Sequence, residues 1–510
     1  MTTLLQSLNY QPTELKFGTS GLRGLVADMT DLECYINAVG FLEFLAKAQG
    51  LKSGDNVYLA GDLRQSTPRI MHAMHQAITD SGYTTVNCGF IPTPAVACIA
   101  VKNNAPCIMV TGSHIPADRN GIKFYKKDGE VLKVDEGAIK QSVYTAREEL
   151  YQQKAAKFDQ TGMLQQAAEL PEVDNKATEL YMQRYISVFA DSLIGKKVVF
   201  YQHSAVGRDL LVKMLQNLGA EVVTVGRSDE FIPIDSENVT PEDHEYFKQL
   251  ASENPDAYAI VSTDGDSDRP FVIDEKGAFH RGDELGAIVA NWLKADFAAL
   301  PVSSSDAVDE FLTQKGVKYE HTKIGSPYVI LAMQKAAQKG EQRIVGWEVN
   351  GGFLLGCELD IEGKKLASLA TRDAIFPIIV ALLAGKSSSA SAAFGNLPKR
   401  FASSGLINEF ATKVSQKIVA KFNGDTPEVH KELERYFGPD KSFGSVQKID
   451  VLDGIRIFFD NGDIAHLRPS NNAPQLRIYS VANTQERADE IVAMAINEPN
   501  GIFRQIEKSL

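Results

Sequence analysis

No stretch of this 510-residue chain approaches the ~18 uncharged apolar residues that a membrane-spanning helix needs. The first ten residues, Met1 to Tyr10, carry neither a basic start nor a long apolar core, so no secretory signal is expected. Cysteine is scarce. Cys34, Cys88, Cys98, Cys107 and Cys357 are odd in number, and no two stand in C-x-x-C spacing. That argues against both a zinc site and a disulfide framework and points to free thiols in a reducing, cytoplasmic compartment. Positive charge is also in deficit. The 53 Lys and Arg against 65 Asp and Glu leave a formal net charge of −12, which argues against nucleic acid or an anionic membrane as a partner. A local pocket on such a protein can still be basic and hold a small anion. With 44% apolar and 23% charged residues, the composition is that of an ordinary globular protein. At ~150 residues per domain the length predicts three or four domains.

One arrangement occurs three times. Val57 to Ala60 reads as a strand, followed by a polar loop with Asp62, Arg64 and Ser66, a helical segment ending at Gly82, and a second strand from Thr84. Val198 to Tyr201 opens a similar run through a helix to Leu218 and a strand from Glu221 to Val225. A fainter third copy starts at Leu300 and passes through Ser303-Ser304-Ser305 and a helix to Lys315. Each reads as strand, crossover helix, parallel strand. The copies are too far apart for a solenoid, so three related α/β domains are expected. A Gln/Ala/Glu/Lys-rich connection runs from Tyr144 to Ala177, and Gly385 to Ala393 has linker composition. Beyond it, short strands around Asp453-Gly454 and Asn461-Gly462 and an amphipathic helix from Thr484 to Ile496 predict an α+β fourth domain. The expected division is 1–160, 161–280, 281–396 and 397–510.

Four stretches carry chemistry. In Ile108 to Tyr125 an apolar strand breaks at Thr111-Gly112-Ser113-His114, and Pro116 prevents an immediate helix. Ser113 is thereby expected at a strand end, where α/β proteins place reactive groups, with His114 beside it and Lys123 a short loop away. A Gly-Ser turn with an incidental histidine is the plainer reading of this stretch alone. In Ile260 to Pro270, Asp264, Asp266 and Asp268 alternate after a strand; close carboxylates repel unless a hard cation sits among them, and Mg²⁺ suits a few protein oxygens plus a phosphate. A calcium loop fails because Arg269 stands where that loop needs glycine, and strands flank it. In Val345 to Gly352, Glu348 and Asn350 offer a carboxylate and an amide to sugar hydroxyls, although a plain turn explains the stretch nearly as well. In Leu467 to Arg477, Arg468 and Arg477 can fork onto phosphate oxygens, with Ser470, Asn471 and Asn472 as further donors. A nucleophile, a cation site, a hydroxyl reader and a separate phosphate clamp suit an enzyme whose substrate carries two phosphates at some stage.

On these motifs the chain resembles the α-D-phosphohexomutase superfamily, whose members move a phosphoryl group between C1 and C6 of a hexose. T-G-S-H-I-P-A-D-R-N-G-I-K is similar to its phosphoserine loop, D-G-D-S-D-R to its metal loop, W-E-V-N-G-G to its sugar loop and R-P-S-N-N-A-P-Q-L-R to its phosphate loop, in the family's order; F-G-T-S-G-L-R-G is similar to its N-terminal signature. The resemblance implies three α/β domains plus a C-terminal α+β domain around a central cleft. It implies a phosphorylated Ser113, with Mg²⁺ held by Asp264, Asp266, Asp268 and the phosphoserine. Arg269 is then expected to offset charge, Lys123 or His114 to transfer protons, Arg23 to contact the active-site phosphate and Lys323 to contact substrate. A hexose 1,6-bisphosphate is expected as intermediate and activator, and sugar phosphates as the partners; oligomeric state is not legible.

The sequence departs from the family in its sugar loop, where many relatives read G-E-x-S-G-H and this chain has Trp347, Asn350 and Gly352 for the Gly, Ser and His. It also has Gly325-Ser326 where Gly-His is usual, and Ala473 where the clamp usually carries an acid. Losing the histidine makes Lys123 the stronger candidate base. Mannose and glucose differ only at C2, which a loop reading O3 and O4 through Glu348 ignores. Activity on both sugars is therefore physically reasonable; the R-P-S-N-N-A-P form of the clamp and the overall length favour phosphomannomutase, with phosphoglucomutase proper as the alternative. A non-catalytic phosphosugar-binding protein is the competing class, and a metal-dependent phosphatase would leave two of the loops without a task.

Overall fold

The computed structural model describes residues 2–18, 21–154, 157–385, 389–470 and 474–510. Thr19 and Ser20 of the N-terminal signature, part of the Gly385–Ala393 linker, and Asn471, Asn472 and Ala473 of the expected clamp lie outside the described residues. The chain forms two compact units, one of residues Met1–Ala298 and Gly325–Gly395, the other of Ala299–Ile324 and Asn396–Leu510.

The first unit begins with a seven-stranded sheet whose centre is the strand Cys107–Val110. All four of its residues are buried, as expected of an uninterrupted apolar run covered on both faces. It pairs in parallel with Asn56–Gly61 and antiparallel with Arg119–Lys126, so the loops leaving Gly61 and Val110 emerge at the same edge. The helix Asp31–Gln49 covers one face. Its N-cap Thr30 accepts from the Glu33 amide, and Gly50 ends it in a left-handed conformation, as helix ends commonly require. Phe41 stacks on Phe124 at 4.4 Å between ring centroids, joining helix to sheet.

A second sheet runs Phe279–His280, Pro270–Asp274, Ala259–Thr263, Lys197–His203, Glu221–Arg227. Its inner strands are Pro270–Asp274 and Ala259–Thr263, both buried throughout, and Lys197–His203, which pairs in parallel with Ala259–Thr263. The aspartate loop is the turn of the hairpin that begins at the Thr263–Pro270 pair. In the same unit the strands Ile344–Trp347, Phe353–Leu355 and Leu369–Asp373 run antiparallel, and the Glu348–Gly352 loop is the turn between the first two. Each chemistry-bearing loop of this unit is thus a short connection anchored on buried strands.

The second unit holds an antiparallel sheet in the order Phe401–Ile407, Leu476–Ala482, Ile464–Pro469, Ile455–Phe459, Val446–Asp450. Its core gathers Phe410, Phe422, Phe437, Ile457 and Leu467. This compact unit also includes the segment Ala299–Ile324. One reason is the buried Arg456, whose guanidinium donates to the carbonyls of Val302 at 2.5 Å and Ser304 at 2.8 Å. All five cysteines are free, and no helix among the described residues is long and apolar enough to cross a membrane.

The first unit contains a titratable clasp. The His280 ring stacks on Phe394 at 3.6 Å, with Nε2 at 3.2 Å from Asp274 and Nδ1 at 3.8 Å from Glu284. Burial disfavours the imidazolium, but the hydrogen bonds to Asp274 and Glu284 outweigh it and raise the pKa. The folded protein therefore holds this proton more tightly than the unfolded chain, whose histidine titrates near ~6.5. The clasp's contribution is complete below that pH and is lost as pH rises through the folded value. Melting curves at pH 6 and pH 8.5 are expected to show that His280→Gln narrows the gap between the two; an unchanged gap would rule out the clasp as its source.

Candidate active site

Ser113 follows directly from the central strand and sits in the left-handed region at φ 56°. A non-glycine residue holds such a conformation only when its surroundings fix it. Here the fixing is done by Arg64. Its side chain is almost fully buried and donates to the carbonyls of Ser113 at 2.9 Å, Ile115 at 2.6 Å, Pro116 at 2.7 Å and Arg119 at 2.9 Å. Nε pairs with Asp62 at 3.2 Å, and the guanidinium carbon lies 3.8 Å from the centroid of the Phe231 ring. The serine loop is wrapped around one planar cation. Sequence reading placed Asp62 and Arg64 in a polar loop and gave them no task; only the pairing of strands shows that this loop and the serine loop share an edge.

The aspartate loop meets the serine at close quarters. Ser113 Oγ donates to Asp264 Oδ2 at 2.5 Å. Gly265 permits the approach, because a Cβ there would lie 2.7 Å from the Ser113 carbonyl oxygen. Asp264, Asp266 and Asp268 are fully buried, with one oxygen of each within 4.8 Å of the others. Lys123 Nζ lies 2.6 Å from Asp266 Oδ2 and 2.6 Å from Asp268 Oδ2. Thr93 donates to Asp266 through its hydroxyl, and Arg372 meets Asp268 Oδ2 at 3.1 Å. Asp264 has both oxygens bonded, Oδ2 to Ser113 and Oδ1 to the amides of Asp268 and Arg269, whereas Asp266 and Asp268 each have one oxygen, Oδ2, held by protein groups. The other oxygens, Asp266 Oδ1 and Asp268 Oδ1, are buried without a hydrogen-bond partner, which is costly unless a ligand meets them. Two carboxylate oxygens without a hydrogen bond, a third carboxylate and a serine hydroxyl form an all-oxygen donor set that fits a hard divalent cation.

The charges respond accordingly. Burial, reinforced by the charges of Asp266 and Asp268, raises the Asp264 pKa well above the usual range. Burial opposes the charge on Asp266 too, but Lys123 prevails and holds its pKa low. Arg269 is buried and lies 3.7 Å from Asp268 and 3.8 Å from Asp264. Its Nη1 is 3.0 Å from His114 Nδ1, which in turn is 3.4 Å from Ser113 Oγ. Burial and then the cations Arg269, Arg23, Lys123 and Arg64 push the His114 pKa well below its ordinary value, so the ring is uncharged at neutral pH. Arg23, half-buried on the strand Leu22–Leu25, is lowered to about 10 by burial and by Arg269 and Arg372. Mutually repelling guanidinium groups beside a hydroxyl suit the arrival of a phosphate. Asp235, which sequence reading missed, lies 3.9 Å from both His114 and Arg269.

The sugar loop belongs to the same unit. Glu348 is buried and its Oε2 accepts from Arg372 Nη1 at 2.9 Å. The carbonyl of Asn350 accepts from Ser236 Oγ at 2.7 Å, and a Cβ on Gly351 would touch Pro270 at 2.9 Å. Ser113, His114, Lys123, Arg269, Arg23, Glu348 and the three aspartates therefore belong to one compact unit. Lys323, Arg468, Ser470 and Arg477 belong to the other. There Asp453 Oδ2 accepts from Arg468 Nε at 2.9 Å and from the Ile324 amide at 3.0 Å, so it joins the strand of Arg468 to the loop that carries Lys323. Arg468 stands directly across the ladder from Arg477. Like charges so placed repel, and Asp453 offsets the charge of Arg468. Asp453 and Arg372 carried no sequence signal, one read as a turn residue and the other lying outside every motif.

Reactive loops at the ends of buried strands, a cation site and converging arginines describe an α/β enzyme of phosphoryl transfer. Models of the phosphoglucomutase/phosphomannomutase family match the chain at residues 14–150, 179–277 and 281–401 for its three α/β/α domains and 417–498 for its C-terminal domain. The chain belongs to this family. It is 39% identical to a phosphomannomutase of Sinorhizobium fredii, covering 94% of this chain and 98% of that protein. Identity to a phosphomannomutase of Salmonella muenchen is also 39%, with 95% of each covered. A solved phosphoglucomutase/phosphomannomutase family protein from Burkholderia thailandensis has the same fold at TM-score 0.69 and 18% identity, over 96% of each chain.

The Arg64 arrangement gives a direct expectation. Arg64→Ala leaves four carbonyls and Asp62 without their partner and is expected to cost about 3–5 kcal/mol. Arg64→Lys should recover only part, since one ammonium has three donors. Lower melting temperature and faster proteolysis between Val110 and Arg119 are the readouts; wild-type values for Arg64→Ala would refute the assignment.

Proposed function

We propose that the chain is a phosphohexomutase that interconverts hexose 1-phosphate and hexose 6-phosphate, with mannose as the main sugar and glucose accepted beside it. The observation that carries this reading is Ser113 Oγ, hydrogen-bonded at 2.5 Å to a buried aspartate beside two carboxylate oxygens that accept no hydrogen bond. The phosphomannomutase names of relatives at 39% identity favour mannose.

In this reading Ser113 carries the phosphoryl group in the resting enzyme. Asp264, Asp266, Asp268 and the phosphorylated serine are the residues that would hold Mg²⁺, which when bound supplies neutralisation of charge on the transferring group. The sugar hydroxyl that accepts the phosphoryl group must lose a proton. Two nitrogen groups stand near. Lys123 Nζ is paired with two carboxylates, and the uncharged His114 presents Nδ1 3.4 Å from Oγ while accepting from Arg269 Nη1 at 3.0 Å, so either must release a present partner to take the proton. Arg269 and Arg23 offset charge on the phosphate. Glu348 and Asn350 read the sugar hydroxyls. Arg468, Arg477, Ser470, Asn471 and Asn472, with Lys323, grip the phosphate that is not reacting. The product of the first transfer is a hexose 1,6-bisphosphate, which returns its other phosphate to Ser113; the same compound in trace amounts primes an unphosphorylated enzyme. A reducing, cytoplasmic setting fits the five free thiols.

Intact-mass measurement is expected to find one phosphate on Ser113 that disappears on incubation with excess mannose 6-phosphate. Turnover of mannose 1-phosphate and glucose 1-phosphate, with Mg²⁺ and a trace of the bisphosphate, should give kcat/KM values within about tenfold of each other, as expected of a site blind to C2. No turnover of either, with Ser113 unmodified, would leave a phosphosugar-binding protein in its place.

A further inference from the structure

The sugar-reading carboxylate and the aspartate loop share one residue that no motif contains. We propose that Arg372 is a positioning residue that fixes Glu348 at a set distance from the reacting serine, an inference that rests on the mutase reading above. The guanidinium is almost fully buried. It reaches Asp268 Oδ2 at 3.1 Å through Nη2 and Glu348 Oε2 at 2.9 Å through Nη1, with Glu130 at 3.8 Å from Nε. A planar fork of this kind sets direction as well as charge. One arm hydrogen-bonds the group that meets the sugar and so orients it; the other forms an ion pair with a candidate cation ligand.

The residues around Arg372 remove its freedom to do anything else. On one side Thr371 Oγ1 donates to Glu130 Oε1 at 2.9 Å, and Ser326 Oγ donates to Glu130 Oε2 at 2.6 Å. On the other, Asp373 is fully enclosed and accepts from Tyr181 at 2.5 Å and from Tyr185. Both neighbours along the strand are therefore anchored. The stem of Arg372 crosses Gly352, where a Cβ would lie 2.7 Å from its Cδ and 2.9 Å from its Cγ. The last glycine of W-E-V-N-G-G is thus the space through which the arginine reaches the loop. If neutralising Asp268 and Glu348 were the whole task, any buried cation would serve; an anchored fork passing over a glycine serves alignment. Misplacing a reacting group by about 1 Å costs on the order of a hundredfold in rate.

Two substitutions separate alignment from charge. Arg372→Lys keeps the cation and loses the fork. Gly352→Ala keeps the arginine and puts a methyl group where its stem lies. Each is crossed with Glu348→Gln, reading kcat and KM for mannose 1-phosphate and, in a Ser113→Ala background, the calorimetric Kd of mannose 6-phosphate. Each single change at 372 or 352 is expected to lower kcat/KM about tenfold or more, chiefly through kcat, and to cost under about twofold when Glu348 is already Gln. Circular dichroism at the assay temperature must show the variants folded. Losses that multiply in the double variants, that follow the unfolded fraction, or that vanish with lysine at 372 would overturn the proposal. If the wild type turns over neither sugar phosphate, the mutase reading fails, and the calorimetric cycle alone decides: coupling between 372 and 348 sustains the positioning role, and additive Kd changes end it.

Discussion

Three carboxylates buried within 4.8 Å of one another are the constraint on which the first unit depends. Enclosed charges of one sign are tolerated only with partners, and the chain meets that demand with Lys123, Arg269 and Arg372, drawn from three separate stretches. Lys123 comes from a strand of the first sheet, Arg269 from the aspartate loop itself and Arg372 from the last strand of the sugar-loop group. Charge compensation and the assembly of the site are the same event. Ser113, whose loop Arg64 shapes, joins this network through its contact with Asp264.

Distance also explains why small residues recur at the edges of the loops. Gly265 lets the aspartate loop touch the serine backbone, and Gly352 lets the arginine stem through to Glu348. In both cases what fills the space comes from elsewhere in the chain. A glycine in a motif therefore says that something approaches closely, without saying what.

Much of this was legible in the sequence. The strand before Ser113 shows as an unbroken apolar run, and the aspartates show by their alternation; both features are local, so reading along the chain finds them. The three α/β domains and the α+β domain follow from repeated strand and helix patterns of the same local kind. Arg64, Arg372 and Asp453 were not legible as site residues, because their roles arise from partners distant in the chain: 49 to 55 positions away for the carbonyls that Arg64 holds, 24 for Glu348 from Arg372, and 15 and 129 for the two groups that Asp453 joins. Strand pairing, which the sequence does not spell out, brings those partners together. Lys123 shows the same limit from the other side: the residue was identified, but its two ion pairs, which bear on whether it can act as a base, depend on a loop more than a hundred residues on.

The contact between Arg64 and Phe231 has a consequence for how such chains can change over evolution. The cation that shapes the serine loop lies in the stretch matched by the first family domain, whereas the ring against which it rests lies in the second. Tyr181 and Asp373 form a similar bond between the second and the third. Segments that look interchangeable by their boundaries are thus stitched together by side chains that must be inherited together. A gene in which one domain was replaced by a distant cousin's would keep every motif and lose the seams between them.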